Sequence, residues 1–92
     1  MIVLLSKRFI KEFSKLPKNI QEKIWVILDN LEITDTLNGF PDCKVLEGYK
    51  NYFRIRVASY RIGLEIVDNE IKLIHIITVR SRGDIYKSFP PK

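Results

Sequence analysis

Six residues in the second half of this 92-residue chain have the types and spacing to act on an anion. Arg54, Arg56 and Arg61 lie inside the apolar run YFRIRVASYRIGLEI, and Arg80, Arg82 and Tyr86 lie inside RSRGDIY. A guanidinium is a planar fork of donors that matches phosphate or carboxylate, a geometry that lysine does not offer. Arginine is not deprotonated in proteins, so arginines alone stabilise negative charge but move no protons. A phenol can move one, and positive charge nearby favours its ionised form. Tyr86 is therefore the candidate general acid or base.

For these groups to act together they must share a surface, and strand alternation supplies one. Successive side chains of a strand point to opposite faces. Phe53, Ile55 and Val57 then share one face, with Arg54 and Arg56 on the other. In the neighbouring strand Tyr60, Ile62, Leu64 and Ile66 oppose Arg61, Gly63 and Glu65. If both apolar rows meet a covering layer, the arginines converge on the uncovered face, where Glu65 is the single opposing charge. Like charges set close across strands cost stability, so this concentration argues for an anion-binding surface over a merely solvated one.

Stepping along the chain gives the elements that hold this surface. Ile2 to Leu5 is too brief for a helix and suits a strand. Ser6 caps a helix over about Lys7 to Lys15, with Phe9, Ile10, Phe13 and Leu16 on one face. Pro17 ends it and opens a second helix to about Glu32, lined by Ile20, Ile24, Ile27, Leu28 and Leu31. The pair forms an antiparallel hairpin. Thr34 to Asp42 is rich in turn residues and reads as a connector. Strands follow at Lys44 to Glu47, Tyr52 to Val57, Tyr60 to Val67 and Ile71 to Val79, joined by turns too short for parallel crossovers. The tail from Arg80 to Pro90 holds one turn of helix at most. The expected fold is α+β: an N-terminal strand and an antiparallel helical hairpin packed on one face of a small, twisted, mainly antiparallel sheet, as a single domain over residues 1–92.

Composition narrows the partners. Sixteen Lys and Arg against 11 Asp and Glu give a formal charge of +5, which favours an anionic partner. One cysteine, Cys43, and one histidine, His75, leave no cluster of metal-ligand spacing, so no metal or cofactor is expected. The apolar start, MIVLL, is too short for a signal peptide core or a membrane span, and a cytoplasmic protein with no membrane association is expected.

The order of elements and two motifs resemble the RelE/ParE superfamily of toxins from type II toxin–antitoxin systems. LEGYKNYFRIRVASYRIGLEI (46–66) is similar to that family's L-x-G, R-x-R-V and Y-R stretch, and RSRGDIYKSFP (80–90) to its R-x-x-D-I-Y-x-x-F-P ending. The resemblance implies a RelE-like, ribosome-dependent mRNA endoribonuclease that works without a metal and inhibits translation until a cognate antitoxin silences it in a hetero-oligomer. Motif matching carries catalytic roles onto Arg54, Arg56, Arg61, Arg80 and Tyr86, with Arg82 a second candidate for the tail arginine; Lys50, Arg82 and Lys87 are expected to bind RNA. Many relatives have His before the tail arginine; here Val79 precedes Arg80. His75, by strand parity, shares a face with Leu73 and Ile77 rather than with Thr78 and Arg80, and is given a structural role.

Two other readings stand beside this one. ParE-like members inhibit DNA gyrase and cut nothing, and a basic face can also serve as a non-catalytic binding module. In each case the apolar helix surface and the basic face suit an extended partner with an apolar stripe and acidic residues.

Overall fold

The computed structural model describes residues 1–90. The chain runs β1 (Ile2–Leu5), α1 (Lys7–Phe13), α2 (Lys18–Glu32), β2 (Cys43–Val45), β3 (Tyr52–Val57), β4 (Tyr60–Asp68), β5 (Leu73–Ser81) and a short 3-10 turn (Ile85–Lys87). The five strands form one sheet in the order β1-β5-β4-β3-β2. β1 is parallel to β5, and every other pairing is antiparallel. The helical hairpin carries the chain from one edge of the sheet to the other, as the expected α+β arrangement requires.

Side-chain placement follows the period of each element. Ile20, Ile24, Leu28 and Leu31 are the buried residues of α2, and with Phe9 of α1 they meet Ile55, Val57, Ile62, Leu64, Ile74, Ile76 and Val79 of the sheet. Ser6 accepts from the Phe9 N–H at 2.9 Å, capping α1. Between the helices, Gln21 Nε2 donates to the Phe13 and Leu16 carbonyls at 3.0 and 3.2 Å, so α2 satisfies the end of α1. No helix among the described residues is long and apolar enough to cross a membrane.

Several boundaries differ from expectation, each for a local reason. α1 stops at Phe13 rather than Lys15, because the Lys15 and Leu16 amides turn back to the carbonyls three residues earlier ahead of Pro17. β2 is Cys43–Val45, not Lys44 to Glu47. The last turn is longer than expected: the Asp68 carboxylate accepts from the Glu70 and Ile71 amides, and Lys72 adopts φ +57, which delays β5 to Leu73. β5 then runs on to Ser81, so Arg80 lies within the strand.

A bulge overturns the parity assigned to His75. Gly63 pairs with Thr78 and Leu64 with Ile76, so Ile77 is an extra residue in β5 and every position before it changes face. His75 lies opposite Glu65, on the face of Thr78 and Arg80. The Ile77 carbonyl accepts the Ser6 hydroxyl at 2.6 Å, so the same serine that caps α1 also secures the bulge.

The hairpin between β3 and β4 turns through Ala58 and Ser59, and Ala58 takes φ +54. That conformation costs an L-residue about 1–2 kcal/mol, against roughly 0.5–1 kcal/mol of extra chain entropy lost by glycine. Ala58→Gly should therefore stabilise the protein by up to about 1 kcal/mol and raise its melting temperature by roughly 4–8 °C. A lowered melting temperature in a thermal scan would contradict this account of the turn.

Candidate functional site

The helices cover one face of the sheet, and the arginines emerge on the other. Arg56 pairs with Arg61 across β3 and β4, and Arg61 pairs with Arg80 across β4 and β5. Three arginines thus form one transverse row over three strands, at a spacing of about 5 Å between neighbours. Arg54 lies two residues along β3 on the same face, opposite Gly63.

The two ends of the row are neutralised and the middle is not. Arg56 meets the Asp42 carboxylate at 3.3 Å, and both side chains are more than half exposed. Arg54 donates to the Asp42 carbonyl at 3.0 Å, so the connector before β2 reaches over to the arginine face. At the opposite end, Arg80 Nε donates to Glu12 Oε2 at 2.6 Å. Arg61 instead donates to the Ala58 and Tyr60 carbonyls at 3.2 and 2.9 Å. Of the three, it alone has no carboxylate within ion-pair distance among the described residues. Burial lowers the Arg61 pKa, the charges of Arg54, Arg56 and Arg82 lower it further, and Tyr86 opposes them.

Glu12 is the residue that sequence reasoning missed. Its Oε1 accepts from the Thr78 hydroxyl at 2.5 Å and the Val79 N–H at 3.4 Å, while Arg8, one turn back on α1, lies 3.5 Å away. β1 pairs with β5 only as far as Ile76, so the Val79 amide lies on an edge that Glu12 closes. Burial alone would push the Glu12 carboxyl up; the donors of Arg80 and Thr78, the Arg8 charge and the Val79 amide more than offset it and hold it below its ordinary value. The available signal was weak: Glu12 is the single acid among the cations Lys7, Arg8 and Lys11 of α1.

The face is not left open, as the sequence suggested. The tail folds back over it, burying Ile85 and Phe89. Phe89 sits on Gly63, where an added Cβ would come within 2.9 Å of the ring. Its edge meets Tyr52 at 5.7 Å and 88°. Arg8 donates to the Ser88 hydroxyl, tying the tail to α1. Tyr86 stays outside on the 3-10 turn, 55% exposed. Arg82 is exposed beside the hairpin, its amide bonded to the Ser59 carbonyl at 2.8 Å. Lys87 lies 3.0 Å from Asp84, an exposed pair of little energetic weight. Lys50 is exposed in the turn before β3. The structure thus brings Arg54, Arg56, Arg82 and Tyr86 within electrostatic range of Arg61, turns the Arg80 guanidinium aside to Glu12, and sets Lys50 and Lys87 at the margins. No three His, Cys, Asp or Glu side chains among the described residues could hold a metal ion.

Residues 3–86 match the family described as the ParE toxin of type II toxin–antitoxin systems, parDE. Toxin RelE3 of Methanocaldococcus jannaschii is 36% identical over 91 residues, spanning 98% of this chain and all of the relative. Among solved structures, the RelB-RelE antitoxin–toxin complex from Methanococcus jannaschii contains a chain that superposes with a TM-score of 0.79 at 36% identity, covering 95% of this chain and 99% of that one. The archaeal RelE-RelB complex from Pyrococcus horikoshii gives 0.75 at 26% identity, covering 90% and 96%.

The Glu12 cluster yields a pH signature. A carboxyl held below its ordinary value contributes stability that is fully present above that value and is lost as pH falls through the depressed one. Glu12→Gln should cost about 1–2 kcal/mol at neutral pH, since Arg80 loses its charged acceptor. In denaturant titrations across pH, the gap from wild type should stay level down to the ordinary value of 4.5 and close below it. A gap that widens on acidification would contradict the assignment.

Proposed function

The chain belongs to the ParE toxin family of type II toxin–antitoxin systems, within the RelE/ParE superfamily, and from that premise we propose that it is a ribosome-dependent mRNA endoribonuclease. The observation that carries the reading is the row of arginines with an uncompensated Arg61 at its centre and the Tyr86 phenol beside it. A basic sheet face has no need of such a phenol if its task is only to hold an anion.

The chemistry assigned to these residues is transesterification within RNA. A ribose 2′-oxygen attacks the adjacent phosphorus and forms the cyclic phosphate. The P–O5′ bond breaks, and the proton lost from the 2′-hydroxyl is balanced by one gained at the 5′-oxygen. Arg61 would stabilise the extra negative charge on the phosphorane, where a well-placed donor supplies roughly 3 kcal/mol. Arg54 and Arg56 would hold the flanking phosphates, and Tyr86 would carry the proton. Arg80, fixed by Glu12, would present its remaining N–H groups along the same surface. Lys50, Arg82 and Lys87 would add contacts to the RNA backbone.

A cognate antitoxin is the proposed inhibitor. The RelE relatives from the two archaea are found in complexes with RelB, which supports such a partner for this chain. The exposed apolar side chains Ile10, Trp25 and Val26 on the helices and the net positive charge suit a segment that is apolar along one stripe and acidic elsewhere. Action on ribosomes implies a cytoplasmic setting.

The test is cleavage of mRNA on programmed ribosomes, mapped by primer extension. Arg61→Ala should slow cutting by about 10²–10³-fold, and Tyr86→Phe by roughly 10²–10⁴-fold, with RNA binding retained by the latter. Because the matching family is described by its ParE toxin, the alternative outcome is specific: wild type that leaves mRNA intact and causes gyrase-dependent DNA breaks would replace the nuclease reading with gyrase inhibition.

A further inference from the structure

We propose that Tyr49, seated on Tyr52, is a stacking platform for an unpaired nucleobase of single-stranded RNA whose phosphates run along the arginine face. The ligand class rests on the nuclease reading above; the platform residues, Tyr49 and Tyr52, have no part in that reading. Tyr49 closes the turn from Leu46, its amide bonded to the Leu46 carbonyl at 3.0 Å, with Gly48 at φ +83 supplying the left-handed position. Its ring lies 5.5 Å from Tyr52 at 83°, and Tyr52 in turn meets Phe89, so three aromatic rings run in file from the turn to the seat on Gly63.

The file is braced from below. Glu65 lies opposite Tyr52 across β3 and β4, and its carboxylate accepts from Asn51 Nδ2 at 3.1 Å. Burial, and then the Glu65 charge, push the Tyr52 hydroxyl up, so it remains a neutral ring. Yet Tyr49 at the end of the file is 46% exposed. A half-exposed ring already packed edge-to-face against Tyr52 has surface left for a base.

Its surroundings select the occupant. Exposed Lys50 follows it directly, and Arg54 stands on the same face of β3 two residues beyond Tyr52. From Tyr52 to Arg56 the strand rises about 13 Å, a span that a short extended strand of RNA covers. Phosphate donors on one side and stacked aromatics on the other are the combination that grips single strands without reading their sequence. Glu65 beneath the rings disfavours a phosphate there, which leaves the base as the moiety that lands on Tyr49.

The experiment is fluorescence anisotropy with a short unstructured RNA and with an abasic strand of equal length, without ribosomes, on wild type, Tyr49→Ala and Tyr49→Phe. Tyr49→Ala should weaken RNA binding by about ten-fold, while Tyr49→Phe binds as wild type. The salt dependence should not change, because no phosphate contact is removed. On the abasic strand, wild type and Tyr49→Ala should bind alike. Equal RNA affinity in Tyr49→Ala, an equal loss on the abasic strand, or no RNA binding by wild type would each overturn the platform. If Tyr49→Ala weakens binding while wild type cuts nothing on ribosomes, the platform stands and the nuclease reading falls; cutting by wild type with no effect of Tyr49→Ala gives the reverse.

Discussion

Three guanidiniums in a single transverse row repel one another, and the second face of this sheet is organised around that repulsion. The register admits no escape: Arg56, Arg61 and Arg80 are direct cross-strand neighbours. Two carboxylates arrive from outside the sheet to quench the ends, Asp42 from the connector before β2 and Glu12 from α1. The centre is left charged. Arg61 carries the row's uncompensated charge, with burial and the like charges of Arg54, Arg56 and Arg82 acting against it.

The rest of the face is built to bring a phenol to that charge. Gly63 lacks the Cβ that would keep Phe89 away, so the tail can descend onto the sheet and hold exposed Tyr86 within electrostatic range of Arg61. Arg8 then fastens the tail to α1 through Ser88 and touches Glu12, which holds Arg80. One short helix therefore fixes both the edge of the arginine row and the segment that carries Tyr86. Packing and electrostatics meet at α1: Phe9 enters the core while Arg8 and Glu12, one turn apart, serve the opposite side of the sheet.

Much of this was legible in the residues, and what was not has identifiable causes. Alternation in β3 and β4 correctly gathered Arg54, Arg56 and Arg61 on one face, because neither strand is interrupted between Tyr52 and Gly63. The same rule failed for His75, since the bulge at Ile77 adds a residue without any mark in its side chain. Glu12 and Arg80 are 68 residues apart, a separation that no local pattern reports. The covering tail was hidden for a similar reason: its seat is a missing side chain at Gly63. Asp42 looked like a turn residue, which it also is, at φ +57.

The arginine row is held at an electrostatic cost concentrated on Arg61, and stability measured across salt concentrations tests this most directly. Arg61→Gln should melt higher than wild type at low ionic strength, by an amount on the order of 0.5–1 kcal/mol. The gain should exceed that of Arg82→Gln, which removes the same charge off the row, and should vanish near 1 M salt, where screening reaches about 3 Å. An Arg61→Gln protein that melts below wild type at every salt concentration would contradict the account.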